Sequence, residues 1–209
     1  MPQERSYFIS DRKEMYAFMP ESFSKVLEVG CGEGDFIAGL DCDEKWGLDI
    51  DQKSVEVLKE RGIKTIFGHY EEKYKELPDN YFDVIICNDV IEHMASHDFF
   101  FSSIKEKINE NGCIIGSIPN VRLYKNLKHL LFEKDWKYTD EGIRDKTHLR
   151  FFTGKSLQRS LIENGLKIEL FQGIRPSRKP LLRLFIALTL GKHKDICYQQ
   201  FGFRVTKKS

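Results

Sequence analysis

The run Val26-Leu27-Glu28-Val29-Gly30-Cys31-Gly32-Glu33-Gly34-Asp35 carries an apolar, strand-like segment into a turn with glycine at every second position. Glycine reaches positive φ without strain and has no Cβ to hold a ligand away from the backbone. A helix starting after such a turn adds unpaired N–H groups and the positive end of its dipole. The turn is therefore suited to a charged or strongly polar ligand. A dinucleotide fingerprint would need a third glycine where Asp35 stands, and a phosphate-binding P-loop would need a Lys-Ser/Thr pair that is missing here. Downstream lies Gly47-Leu48-Asp49-Ile50-Asp51. A carboxylate at the end of a second strand can accept hydrogen bonds from both hydroxyls of a ribose, which fits Asp49; the bland alternative is an ordinary turn residue. Asp51 suits a helix N-cap.

Two further clusters hold titratable groups. Asn88-Asp89-Val90-Ile91-Glu92-His93 follows the apolar run Phe82–Cys87. Residues 140–153 contain Arg144, Asp145, Lys146, His148 and Arg150. Histidine titrates near neutral pH, so His148, and after it His93, could take a proton from an attacking hydroxyl. Arg150, with Arg144, could grip a carboxylate or phosphate. The competing reading is structural: His148 and Asp145 tie the loop to the sheet, and His93 packs at a helix start.

Glu28-Val29-Gly30-Cys31-Gly32-Glu33-Gly34 resembles the first motif of class I S-adenosylmethionine (SAM) dependent methyltransferases. The resemblance implies that Gly30, Cys31, Gly32 and Gly34 pass under the methionine and ribose of SAM. It implies that Glu28 supports the loop or meets the methionine amino group. By the same likeness Asp49 binds the ribose, Ile50 packs on the adenine, and Asn88 and Asp89 lie beside the methionine. His69 stands about where the family usually has an acid facing the adenine amino group, so backbone near His69, or Glu71, would serve instead. Asp89, Glu92, His93 and His148 also bear some likeness to the Glu-x-x-Glu-His pattern of small-RNA methyltransferases that hold a metal; the reading adopted here assigns no metal. Ile118-Pro119-Asn120-Val121, followed by Asp145-Lys146-Thr147-His148-Leu149-Arg150-Phe151-Phe152-Thr153, resembles methyltransferases found among bacterial surface-polysaccharide biosynthesis proteins. That branch implies a sugar or phosphorylated glycan precursor as an anionic acceptor, methylated on oxygen in preference to nitrogen. A nucleic acid acceptor is disfavoured, because Asn88-Asp89-Val90-Ile91 stands where base-amino methyltransferases carry Asn/Asp-Pro-Pro-Tyr/Phe. A non-catalytic SAM-binding protein is the other alternative.

The elements that must position these residues alternate. Strand-like runs at Lys25–Val29, Trp46–Ile50, Ile63–Phe67, Phe82–Cys87 and Cys113–Ile118 are separated by helical patterns at Gln52–Arg61 and Asp98–Asn109, the latter with a stripe of Phe100, Phe101, Ile104 and Ile108 closed by Asn111-Gly112. Such alternation predicts right-handed βαβ units and a parallel sheet. Thr153 is placed to cap a helix over Lys155–Asn164, and Lys167–Phe171 and Cys197–Val205 read as strands pairing antiparallel at the sheet edge. Joined to the family likeness, this predicts a Rossmann-like, doubly wound α/β fold: a mostly parallel seven-stranded sheet with an antiparallel last strand and helices on both faces. We expect one domain over residues 1–209, with an active-site loop at about 119–152 and a basic amphipathic excursion at about 174–195.

The chain of 209 residues has a formal net charge of +1, yet from Ile174 onward nine Lys/Arg face the single acid Asp195. That asymmetry suits an anionic partner, with peripheral membrane contact as one form of it, or a solvated surface. Five cysteines without a CxxC pair, two of them (Cys87 and Cys113) inside apolar runs, read as free thiols of a reducing, cytoplasmic protein. The start, MPQERSYFISDRKEM, shows no signal-peptide pattern, and Leu184–Leu190 is too short an apolar run to span a bilayer.

Overall fold

A computed structural model describes residues 12–208, so most of the N-terminal stretch read above lies outside the described residues. The strands are β1 (Lys25–Val29), β2 (Glu44–Asp49), β3 (Lys64–Phe67), β4 (Phe82–Asn88), β5 (Ile108–Pro119), β6 (Leu166–Pro176) and β7 (Tyr198–Lys207). They form one sheet in the order β3-β2-β1-β4-β5-β7-β6. All neighbours are parallel except β7, which runs antiparallel to both β5 and β6. The α-helices are α1 (Asp35–Ala38), α2 (Gln52–Glu60), α3 (Tyr70–Lys73), α4 (His97–Ile104), α5 (Tyr124–Lys128), α6 (Gly154–Glu163) and α7 (Pro180–Leu188).

Strands of a parallel sheet are covered on both faces, and here successive residues of a strand enter different cores. Leu27 and Ile85 pack with Phe100, Phe101, Leu157 and Leu161 from α4 and α6. Val26, Val84 and Ile86 pack with Phe36, Ile37 and Leu58 from α1 and α2. The two-residue period of the strands meets the helical stripes on opposite sides, which fixes the register.

Local signals set most boundaries. Asp51 caps α2 by accepting from the Ser54 N–H at 3.0 Å, and Gly62, φ +75°, follows its end. Thr153 and Ser156 form a reciprocal capping box on α6. One expectation fails. The helix expected to reach Asn109 stops at Ile104, and Ile108 opens β5 instead. Between Phe82↔Ile108 and Val84↔Cys113 the ladder shifts register. The Asn109 side chain holds that irregularity, donating to Asp83 at 2.5 Å and accepting from the Asn111 N–H at 3.0 Å. The apolar 3.6-residue spacing through Ile108 is thus a coincidence of a turn, not a continued helix. The segment expected as a loop at 119–152 also carries structure of its own: α5 runs on into a π-helical turn at His129–Glu133.

Candidate active site

Strand order reverses between β1 and β4, since β1 leads out to β2 and β3 on one side while β4 and β5 continue on the other. A crevice at the carboxyl ends of strands at such a switch point is where open α/β sheets take ligands. The glycine turn leaves β1 there. Gly30, Gly32 and Gly34 all have positive φ, +65°, +52° and +76°. A Cβ on Gly30 would come within 2.4 Å of Val90, and one on Gly34 within 2.2 Å of Leu58. Two of the glycines are therefore required by conformation and by crowding together.

Asp49 ends β2 facing this turn. One carboxylate oxygen accepts from the Gly32 N–H at 2.7 Å and the other from the Asp51 N–H at 2.9 Å. Ile50, next along, is 60% exposed although apolar. Cys31 is buried with its thiol against the Leu48 carbonyl, and burial, followed by the charges of Glu28 and Asp49, pushes its pKa well up, so it is a packing thiol rather than a nucleophile. His69 is exposed at the N-cap position of α3 and makes no side-chain capping bond there.

Beneath the turn, Glu28 is buried and its Oε2 has no partner among the described residues. Burial raises its pKa from 4.5 to about 8, against the opposing pull of Arg12 and the Ile37 backbone. Asn88, at the end of β4, is also buried, with neither side-chain polar atom paired among the described residues. Buried polar groups are nearly always satisfied, so two orphans on adjacent strand ends beside a glycine turn point to a ligand's polar groups. Asp89 differs. It sits at φ +53° and is claimed by protein: Gln200 donates to its two oxygens at 2.8 and 2.7 Å, Ser117 donates at 2.9 Å, and Arg12 pairs with it at 2.9 Å. Arg12 and Gln200 were not singled out from the sequence, and no local motif marks them.

Beside this crevice, a turn at Ile91–His93 meets the segment before α6. The Glu92 carbonyl accepts from the N–H groups of Leu149 and Arg150, at 2.8 and 3.0 Å, which seats the segment on the turn. His93 and His148 then meet edge to face, centroids 4.7 Å apart. Asp145 is buried and accepts from the Thr147 N–H and hydroxyl, both at 2.7 Å, shaping the bend before His148. Burial, chiefly, lowers the His148 pKa below its usual value, which favours the uncharged ring. Glu92 is 1% exposed, neither of its oxygens has a hydrogen-bond partner among the described residues, and burial and then Asp89 raise its pKa well above the usual range.

The two arginines expected to hold the acceptor are partly engaged. Arg150 donates to the carbonyls of Leu149 and Ala95, and Arg144 lies 3.4 Å from the His129 ring nitrogen. Asn120 of the Pro-Asn-Val motif is a structural tie: fully buried, it donates to the carbonyls of Asp195 and Tyr198 at 2.8 and 2.9 Å. Arg122 reaches the Asp195 carboxylate at 2.6 Å. The segment after β5 and the basic excursion are thereby fastened to each other.

The family described as a methyltransferase domain matches residues 1–170. The chain belongs to that family. It is 26% identical over 160 residues to a ubiquinone biosynthesis O-methyltransferase of Rickettsia canadensis, an alignment covering 72% of this chain and 65% of that one. It is 34% identical over 98 residues to a Mycolicibacterium smegmatis protein named as a SAM-dependent methyltransferase, covering 46% of this chain and 38% of the other. The chain thus spans between about two fifths and two thirds of the length of these curated relatives. A SAM-dependent methyltransferase structure from Mesorhizobium loti superposes with a TM-score of 0.66 at 16% identity, covering 92% and 95% of the two chains, which shows a shared fold. The cofactor that this family implies is S-adenosyl-L-methionine, and the orphaned carboxylate and amide under the glycine turn fit its charged amino acid end.

Proposed function

We propose that the protein transfers the methyl group of S-adenosyl-L-methionine to an oxygen of a small polar acceptor, an anionic sugar or phosphorylated glycan precursor. The observation that carries this is the pairing of two differently built pockets on the same strand ends. One is a glycine turn with Asp49, the Glu28 Oε2 and the Asn88 amide, the last two without a partner among the described residues; the other is a histidine pair held at the Ile91–His93 turn. Bound SAM supplies a methyl already activated on a sulfonium. The chain is left to align the acceptor and exclude water.

Asp49 holds the ribose hydroxyls, Ile50 covers the adenine with backbone near His69 beyond it, and Glu28 and Asn88 receive the amino acid end. Asp89, held by Arg12 and Gln200, closes the crevice from the β7 side. His148 and His93 are the groups that meet the acceptor hydroxyl. Each uses Nδ1 on a backbone carbonyl, which leaves Nε2 to accept the hydroxyl proton or to hold a group that polarises it. Arg144 and Arg150 border this pocket and favour an anionic acceptor. The O-methyltransferase relatives support oxygen over nitrogen. We further propose that the whole chain acts as one methyltransferase domain. On α7, Leu181, Leu184 and Leu188 are exposed. With Arg183 among them they suit peripheral contact with an anionic lipid surface, a reading that pelleting with acidic liposomes at low but not high salt would support. Among the described residues no helix is long and apolar enough to cross a membrane.

The deciding experiment is calorimetric titration of SAM and S-adenosylhomocysteine into wild type and Asp49→Ala. Two lost charge-assisted hydrogen bonds correspond to a fall in affinity of about 100-fold or more. Binding that survives the substitution, with melting temperature unchanged, would sink the cofactor assignment. Methyl transfer from labelled SAM to phosphorylated and nucleotide-linked sugars then tests the acceptor.

A further inference from the structure

We propose that Glu92, His93 and His148 bind one divalent transition-metal ion of the zinc or cobalt type. One ligand atom from each residue lies within 4.8 Å of those of the other two. Ligand atoms around a single ion with bonds of ~2.1 Å are at most about 4.2 Å apart, so a slight inward rotation of the side chains completes the set.

Three further observations point to an ion rather than to chance proximity. The first is the histidine tautomers. The Nδ1 of His93 lies 3.2 Å from the Thr147 carbonyl, and the Nδ1 of His148 lies 3.1 Å from the Ile143 carbonyl. A carbonyl only accepts, so each Nδ1 carries a proton and Nε2 is the nitrogen left to bind an ion. Metal-binding histidines are oriented by such outer hydrogen bonds. The second is Glu92. Its carboxylate is shielded from water with neither oxygen satisfied by any described residue. A buried carboxylate is stable only with a cation, a proton or donors, and a cation shared with two imidazoles meets that need. The third is preorganisation. The Leu149 and Arg150 N–H groups both bind the Glu92 carbonyl, and the Asp145 carboxylate braces Thr147, so the backbones carrying all three ligands are already joined.

Asp89 is not part of the set, because Gln200, Ser117 and Arg12 occupy its oxygens. Three protein ligands leave open positions on the ion, the pattern of a site that admits an exchangeable oxygen ligand. Two imidazoles with one carboxylate favour a borderline ion over magnesium or calcium, which prefer all-oxygen sites. This departs from the sequence expectation of no metal. That the open positions receive the acceptor oxygen rests on the methyl-transfer reading; the binding of the ion does not.

The test is titration of Co²⁺ into the chelator-treated full chain, read by its visible d–d absorption, with Zn²⁺ competition and S-adenosylhomocysteine titration on the same samples. We expect one Co²⁺ per chain, displaced by Zn²⁺, with affinity falling more than ~100-fold in both E92Q and H148A, beyond the loss typical of removing an outer hydrogen bond. Folded variants are recognised by retained S-adenosylhomocysteine binding. Should E92Q not fold, H93A, which removes a half-exposed ring, makes the same demand. Absence of a Co²⁺ spectrum in wild type that binds S-adenosylhomocysteine overturns the site. So does an affinity that E92Q and H148A leave unchanged. One bound Co²⁺ without S-adenosylhomocysteine binding in wild type would support the ion site while sinking the cofactor reading.

Discussion

The crevice at the β1–β2–β4 strand ends and the outer layer formed by residues 121–150 and 177–197 are built on different terms. Around the crevice, side chains on β1, β4 and α2 such as Leu27, Leu58 and Ile85 are fully buried, and the glycines are hemmed in. In the outer layer Leu131 (70%), Phe132 (78%), Leu188 (75%) and Leu190 (87%) are exposed, and the buried apolar side chains are few: Leu123 and the small cluster of Leu182, Ile196 and Cys197. Gly34 and Gly191 share φ +76°, yet an added Cβ meets Leu58 at 2.2 Å in the first and nothing within 4 Å in the second. The comparison separates two demands that glycine usually meets together: backbone conformation alone in the outer layer, conformation plus packing at the crevice.

That pair gives the sharpest way to break the comparison. Gly34→Ala should lose about 3 kcal/mol of stability from strain and overpacking together. Gly191→Ala should lose only the left-handed backbone penalty, roughly 1 kcal/mol. Equal shifts in denaturant midpoint would mean that the crevice is less tightly packed than its geometry implies. Asp49→Ala, described above, tests the same crevice through affinity.

Glu28 adds a pH signature confined to the crevice. Its folded pKa, about 8, lies above its ordinary value of 4.5. Between those values the folded chain holds a proton that the unfolded chain has released. The stabilisation is full below about pH 4.5 and is lost as pH rises through about 8. Melting temperatures measured from pH 5 to pH 8 should therefore fall more steeply in wild type than in Glu28→Gln. Parallel profiles would show that Glu28 is ionised in the free protein. His148 acts in the opposite sense. Its pKa is lowered, so its contribution is present above the ordinary histidine pKa and lost as pH falls.

Smaller effects bound the comparison from the other side. Thr153→Ala removes the capping box of α6 and should cost about 1 kcal/mol without changing cofactor affinity. Leu188→Ser, on the exposed face of α7, should change stability by less than about 0.5 kcal/mol, while weakening any pelleting with acidic liposomes. A large loss of stability there would show that the outer layer is covered in the working protein.

Much of the crevice was legible because its signals are local. The β1 boundaries, the three glycines, Asp51 as a cap and Thr153 as a cap each depend on residues within a few positions, where glycine conformation and N-cap hydrogen bonding dominate. The end of α4 was misread because Ile108 keeps the helical spacing by accident, while its pairing with Phe82 decides the strand.

By itself, then, the sequence determined the alternating elements and the placement of Gly30, Gly32, Gly34 and Asp49, since each follows from short-range periodicity or turn chemistry, while the strand order that puts a switch point between β1 and β4 came from the tertiary structure. Only the tertiary structure decided which polar groups are satisfied. Asp89 is occupied by Gln200 across 111 residues, and Glu92, unpaired among the described residues, lies beside a histidine 56 positions away in the chain. Whether a buried carboxylate has a partner depends on which distant backbone folds over it, and no spacing within one segment carries that information.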